Sequence, residues 1–225
     1  MPIRRLSVRG VRNLAPLDIH PHSRVNFIYG DNGSGKSSLL ESIALLSSGK
    51  SFRSNQIKQL IHHDADRLEL ECELDETGAD AQTQDLYSLR LRNGDVLFRL
   101  DGSVLTSQAQ VATRLPVQVI EPNTFRLLVG SPEDRRQFLD WGVFHVEPGF
   151  IEEWRIFRKV LKQRNSVLKQ KEVSWLDVWD GGFIEASEKI HQYRLAYLKA
   201  FVPQFESTLA ALDAEIKVRL HYYPG

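Results

Sequence analysis

Between Arg67 and Asp75 the chain alternates strictly, with Leu68, Leu70, Cys72 and Leu74 on one side and Glu69, Glu71, Glu73 and Asp75 on the other. A period of two predicts a strand with one buried and one wet face. The aligned carboxylates then read as a solvated face rather than a metal site, and Cys72 as a core thiol. Upstream, Ile3, Leu6 and Val8 predict a first strand, Leu17–Ile19 a second, and the compact apolar run Val25–Tyr29 a buried third. From Lys36 to Leu46, Leu39, Leu40, Ile43 and Leu46 recur at helical spacing, and Ser47, Ser48 and Gly49 stop the helix. Leu86–Arg92 and Val96–Leu100 flank Asn93-Gly94 and predict a hairpin. Val117–Glu121, after Pro116, predicts one more strand.

Downstream the period changes. Ser131-Pro132-Glu133-Asp134 carries a helix start: a capping serine, proline at the first helical position and acids in the first turn. Phe150, Trp154, Phe157, Leu161 and Leu168 recur at helical spacing, as do Phe183, Ile190, Tyr193, Tyr197 and Ala200 before Pro203. With Asp180-Gly181-Gly182 between them, they predict an antiparallel helical pair. Ile216–Leu220 reads as the start of a returning strand. The expected organisation is an α/β lobe with an added antiparallel sheet over residues 1–135 and a mainly helical lobe over 136–225, the change of character falling near 130–150.

The 225 residues suffice for a sizeable core, and no run approaches eighteen apolar residues. The basic start, with Arg4, Arg5 and Arg9, has no apolar signal region, and Cys72 is the only cysteine. A reducing, cytoplasmic setting is expected, with no membrane partner. Formal net charge is zero, but residues 1–60 hold nine Lys/Arg against three Asp/Glu, residues 61–90 two against nine, and residues 150–171 seven against two. A polyanion surface would therefore be a patch. The stripe Arg155, Arg158, Lys159 and Lys162 is one candidate for DNA, and the surface near Arg53 and Lys58 is another.

The chemistry concentrates at Gly30-Asp31-Asn32-Gly33-Ser34-Gly35-Lys36-Ser37, which fits G-x-x-x-x-G-K-[ST] between a predicted strand and a predicted helix. Glycines let the backbone turn its N–H groups toward phosphates, and the following helix offers its positive end. Lys36 is placed to neutralise the β and γ phosphates, and the Ser37 hydroxyl to ligate Mg²⁺. ATP with magnesium is the expected cofactor. His20, His22 and the cluster His62-His63-Asp64 read as surface histidines. Asp75-Glu76-Thr77-Gly78 fits D-x-x-G, but no N-K-x-D base-reading motif accompanies it, which speaks against GTP. Glu121, ending an apolar stretch, is the one candidate for an acid that polarises attacking water.

Gly30-x-Asn32-Gly33-x-Gly35-Lys36-Ser37 resembles the P-loop of ABC-type and SMC-like ATPases. Gly49-Lys50-Ser51-Phe52-Arg53-Ser54, Arg135-Arg136-Gln137-Phe138-Leu139-Asp140-Trp141 and Leu161-Lys162-Gln163-Arg164-Asn165 resemble the RecF family of recombination mediators, as does Arg12-Asn13 after the first strand. The resemblance implies an SMC-head-like ATPase lobe with a helical second lobe. It also implies an ATP-dependent homodimeric clamp on single-stranded and junction DNA that acts with RecO and RecR to load recombinase. The family's S-x-G-Q signature and the strand ending in two acids are absent from this sequence, so it resembles an N-terminal part that binds ATP without hydrolysis. In the family the strand at Glu121 leads to the Q-loop, which would bring Glu121 or Asn123 near the metal. A stand-alone P-loop NTPase or small-molecule kinase is the competing reading, and a nucleotide-binding module without hydrolysis is a third.

Overall fold

A computed structural model describes residues 2–54, 56–75, 83–170, 175–213 and 215–224. Contacts divide the chain into two units, Met1–Glu121 and Pro122–Gly225, which assigns residues 122–135 to the second.

The first unit is built on strands whose alternation selects one dry face. β1 (Ile3–Arg9), β2 (Leu17–Ile19), β3 (Arg67–Asp75), β4 (Thr83–Leu91), β5 (Val96–Leu100) and β6 (Ser103–Val104) form one antiparallel sheet in the order β2-β1-β3-β4-β5-β6. In β3, Leu68, Leu70, Cys72 and Leu74 are buried, as their alternation requires. They join Leu6, Val8, Leu86 and Phe98 in a core that also takes Leu39, Leu45 and Leu46 of α1 (Lys36–Ser48) and Val111 of α2 (Gln108–Arg114). Gly49 ends α1 in the left-handed conformation, its N–H donating to the Leu45 carbonyl at 3.0 Å. The β4–β5 hairpin turns at Asn93-Gly94, where the Leu91 amide donates to the Asp95 carbonyl.

Two apolar runs expected as strands are not strands. Val25–Tyr29 and Val117–Glu121 join no strand ladder, with Phe27 at 87% exposure, Tyr29 at 91% and Ile120 at 85%. A strand exists through its neighbours, and the six-stranded ladder takes in neither run. The segment Ile216–Leu220 likewise joins no strand ladder and is exposed. The expected stripe of α1 also shifts: Leu40 is 49% exposed, while Ser38, Glu41 and Ser42 are buried beside Leu45. Their polar groups are satisfied inside, Ser42 on the Ser38 carbonyl and Glu41 on Arg12, which permits the burial.

In the second unit a short α3 (Arg126–Val129) precedes α4 (Pro132–Val146), α5 (Phe150–Gln170) and α6 (Leu176–Leu212). Ser131 caps α4 in a capping box with Asp134, as its sequence predicts. Contacts Glu153–Lys189, Phe157–Phe183 and Arg164–Asp180 run in opposite senses along α5 and α6, so the pair is antiparallel. Gly181, Gly182 and Pro203, expected as boundaries, lie inside α6. The Arg164–Asp180 ion pair and the Phe157–Phe183 stack bracket the glycines, while Phe138 of α4 meets Phe201 and Tyr197, Phe201 and Phe205 stack within α6 across the proline, so tertiary packing and the helix's own aromatic contacts override the local breakers. Val143, Phe150 and Ile190 centre the core of this unit.

Candidate functional site

The loop Gly30–Gly35 is held by its own geometry and by the corner that follows β1. Gly30, Gly33 and Gly35 have φ of 142°, 85° and 93°. Gly35 is constrained by its left-handed conformation, and a Cβ there would stand 2.3 Å from Leu14 Cδ2, so a side chain would be strained and would also push the tip of Leu14 aside. Asn13 Nδ2 donates to the Gly33 carbonyl at 2.7 Å, and the Ser38 hydroxyl donates to Asn13 Oδ1 at 3.4 Å.

The N-terminus of α1 differs from that of α4. Gly35 offers no side-chain cap, and no acid lies in the first turn, whereas α4 has the Ser131 cap, Glu133 and Asp134. The first amides of α1 have no intrahelical acceptors by position, and the helix dipole adds positive potential there. Lys36 is half-buried and its ammonium donates to the Gly30 and Asp31 carbonyls at 2.8 and 2.7 Å, which holds the cation within the loop. Asp31, Asn32, Gly33, Ser34 and Ser37 are exposed. This donor set, all N–H and ammonium with an exposed hydroxyl one residue past the lysine, fits a polyphosphate with a divalent cation.

Behind the loop stands Glu41, which the sequence reading did not single out. Its side chain is buried, yet it receives Arg12 Nε at 2.5 Å, Arg12 Nη2 at 2.8 Å and the Ser51 hydroxyl, with Arg53 Nη1 at 3.9 Å. Burial alone would raise the Glu41 pKa, but the hydrogen bonds from Arg12 and Ser51 outweigh it and hold the carboxyl below its usual range. The signal in the sequence was a lone acid within Leu39-Leu40-Glu41-Ser42-Ile43, in a region where bases outnumber acids.

The other candidates lie outside the loop in sequence. Arg53 touches the Glu41 cluster, whereas Lys58 is exposed on the 3-10 turn Ile57–Gln59. Arg155, Arg158, Lys159 and Lys162 are exposed along α5, in the second unit. Arg155 pairs with Glu152 and Arg158 lies over the Trp154 ring, while Lys159 and Lys162 make no ion pair among the described residues. Glu121 closes a stretch that forms no strand. His62, His63 and Asp64 bring ligand atoms within 4.8 Å of one another, but the groups are exposed or partly exposed and engage each other, His63 with Asp64 at 3.0 Å. Asp75 ends β3, and Glu76–Gly78 lie outside the described residues.

A glycine-rich loop feeding an uncapped helix, beside a largely antiparallel sheet and followed by a helical unit, defines the class of SMC-type ATPase heads. The chain belongs to the RecF/RecN/SMC N-terminal domain family, whose model matches residues 2–198. It is 44% identical over 229 residues to the DNA replication and repair protein RecF of Pseudomonas entomophila (strain L48), and 45% identical over 233 residues to that of Pseudomonas fluorescens (strain Pf0-1). Each match covers 100% of the chain and 61% of the relative, so the chain spans about three fifths of their length. Among solved structures it resembles the recombination mediator protein RecF–ATP of the RecFOR pathway, with a TM-score of 0.83 and 25% identity over 94% of this chain and 58% of that one. A structure from work on ATP-driven dimerization of SMC ATPases shares the fold at a TM-score of 0.52 and 19% identity, covering 63% of this chain and 99% of that one. The resemblance to RecF read from the later motifs is thus borne out, and the fold is that of an SMC/RecF-type head, mixed α/β with an antiparallel sheet and C-terminal helices.

Proposed function

We propose that the chain is the nucleotide-binding part of a RecF-type clamp, an ATP-dependent DNA-binding protein of recombinational repair and replication-fork maintenance. The observation that carries this reading is the uncapped N-terminus of α1 behind Gly30–Gly35, with the Lys36 ammonium inside the loop. Residues Gly30–Ser37 would hold the triphosphate, Lys36 reaching the β and γ phosphates and Ser37 ligating magnesium. The bound nucleotide supplies the energy of phosphoanhydride cleavage; this chain supplies the grip, through backbone N–H groups fixed before binding. Similarity to a RecF–ATP structure supports ATP over other nucleotides. Junction and single-stranded DNA, RecO, RecR and a second copy of the intact protein are the proposed partners, in the cytoplasm. No helix among the described residues is long and apolar enough to cross a membrane.

The exposed side of α5 is the proposed DNA surface, because Lys159 and Lys162 have charge to offer phosphates without breaking an ion pair. Each phosphate contact contributes a slope of about 0.9 in log affinity against log salt. Replacing both lysines by glutamine, in the chain extended to the length of its relatives, should therefore flatten the slope by roughly 1.8. An unchanged slope would move DNA binding to another surface, such as that of Arg53 and Lys58.

A further inference from the structure

Glu41 lies one helical turn beyond Ser37, and its carboxylate is buried where a lone charge would cost several kcal/mol. Two segments converge on it. Arg12, in a left-handed conformation with φ 46°, donates twice from the corner after β1 and spends a third N–H on the Gln59 carbonyl at 3.2 Å. Ser51 donates its hydroxyl to Glu41, and its oxygen accepts the amides of Arg53 and Ser54 at 2.9 and 3.0 Å, which turns Arg53 toward the same carboxylate. One negative charge thus faces two guanidinium groups.

The corner that Glu41 anchors reaches the phosphate loop at two points. Asn13, next to Arg12, bonds the Gly33 carbonyl, and Leu14 packs where a Gly35 side chain would stand. A neutral residue at position 41 would leave Arg12 half-buried without its counter-charge, and its guanidinium would be drawn toward water.

We propose that Glu41 is a positioning residue for the phosphate loop: its buried carboxylate fixes Arg12 and, through Asn13, the conformation of Gly30–Lys36 that receives a phosphate chain. The consequence for ATP rests on the nucleotide reading above. The hold on the loop does not.

The test uses the 225-residue chain and amide hydrogen exchange without nucleotide. In Glu41→Gln, which preserves volume, exchange of the Ser34 amide, which donates to the Asp31 carbonyl within the loop, should accelerate by about tenfold, the low end for losing a hydrogen bond to a charged group. Exchange in β3 should stay as in the wild type. Asn13→Ala, an exposed substitution that leaves Glu41 paired, should reproduce the loop effect, and Arg12→Gln combined with Glu41→Gln should recover part of it. ATP affinity should fall by a similar factor in the first two variants. Unchanged loop exchange in both Glu41→Gln and Asn13→Ala would overturn the proposal. Acceleration spread equally over β3 would also overturn it, since that is the mark of a merely stabilising residue. If Lys36→Ala binds ATP as well as wild type, the nucleotide reading fails, while the exchange data still decide the role of Glu41.

Discussion

Replacing Gly35 by alanine adds one methyl group to a residue with φ +93° that immediately precedes α1. The conformation alone costs an L-residue about 1–2 kcal/mol. The new Cβ would also stand 2.3 Å from Leu14 Cδ2, far inside carbon–carbon contact, and Leu14 packs against the main core. The atom met is the tip of a side chain that can rotate aside at a cost of roughly 0.5–1.5 kcal/mol, so Gly35→Ala should lose about 1.5–3.5 kcal/mol in all. The two contributions separate in a double-mutant cycle, because in a Leu14→Ala background only the backbone cost remains. The coupling energy should be about 0.5–1.5 kcal/mol. Urea unfolding can be followed through Cys72: its thiol lies in the sheet core, where burial pushes its pKa up to about 12, so a thiol reagent reports opening of this unit alone. A Gly35→Ala variant within about 0.5 kcal/mol of wild type, or a coupling energy near zero, would refute the loop geometry.

The acid side of the stability profile should carry the mark of Glu41. Its folded pKa lies below the unfolded value of about 4.3, so its contribution is complete above that pH and is lost as pH falls through the folded value. Stabilities of wild type and Glu41→Gln should therefore differ at pH 7 and converge as the pH falls through the folded pKa; a constant gap would mean that the charge is not what matters. Turnover is expected to be missing from this chain, since no strand delivers an acid at Glu121: phosphate release should not exceed that of Lys36→Ala, and hydrolysis abolished by Lys36→Ala would instead make Glu121 the leading base.

What could be read from the chain depended on whether local pattern decides the outcome. The dry side of β3 shows in Leu68, Leu70, Cys72 and Leu74 because a sheet with one wet face must alternate. The Ser131 cap and the Gly49 stop are local chemistry and sit where the sequence puts them. Val25–Tyr29 and Val117–Glu121 were misread because apolar, β-branched runs signal a strand only when a neighbour supplies hydrogen bonds. Gly181, Gly182 and Pro203 were misread for the opposite reason, since contacts from α5 and α4 and a run of stacked aromatics carry α6 across them. The phosphate loop was legible as a motif, but its support was not. Arg12, Ser51 and Arg53 lie 29, 10 and 12 positions from Glu41, and only the folded chain brings them to one carboxylate.

The nucleotide site itself can be tested by calorimetric titration of ATP with magnesium into the wild-type chain, Lys36→Ala and Ser37→Ala. Removing the ammonium from the loop should weaken binding by about 1.5–3 kcal/mol, the size of a charge-assisted hydrogen bond, or roughly ten- to more than a hundredfold in affinity. Ser37→Ala should bind ATP nearly as well without magnesium as with it, whereas wild type gains affinity from the metal. Equal ATP affinity in wild type and Lys36→Ala would contradict the assignment of Gly30–Ser37 as the phosphate cradle.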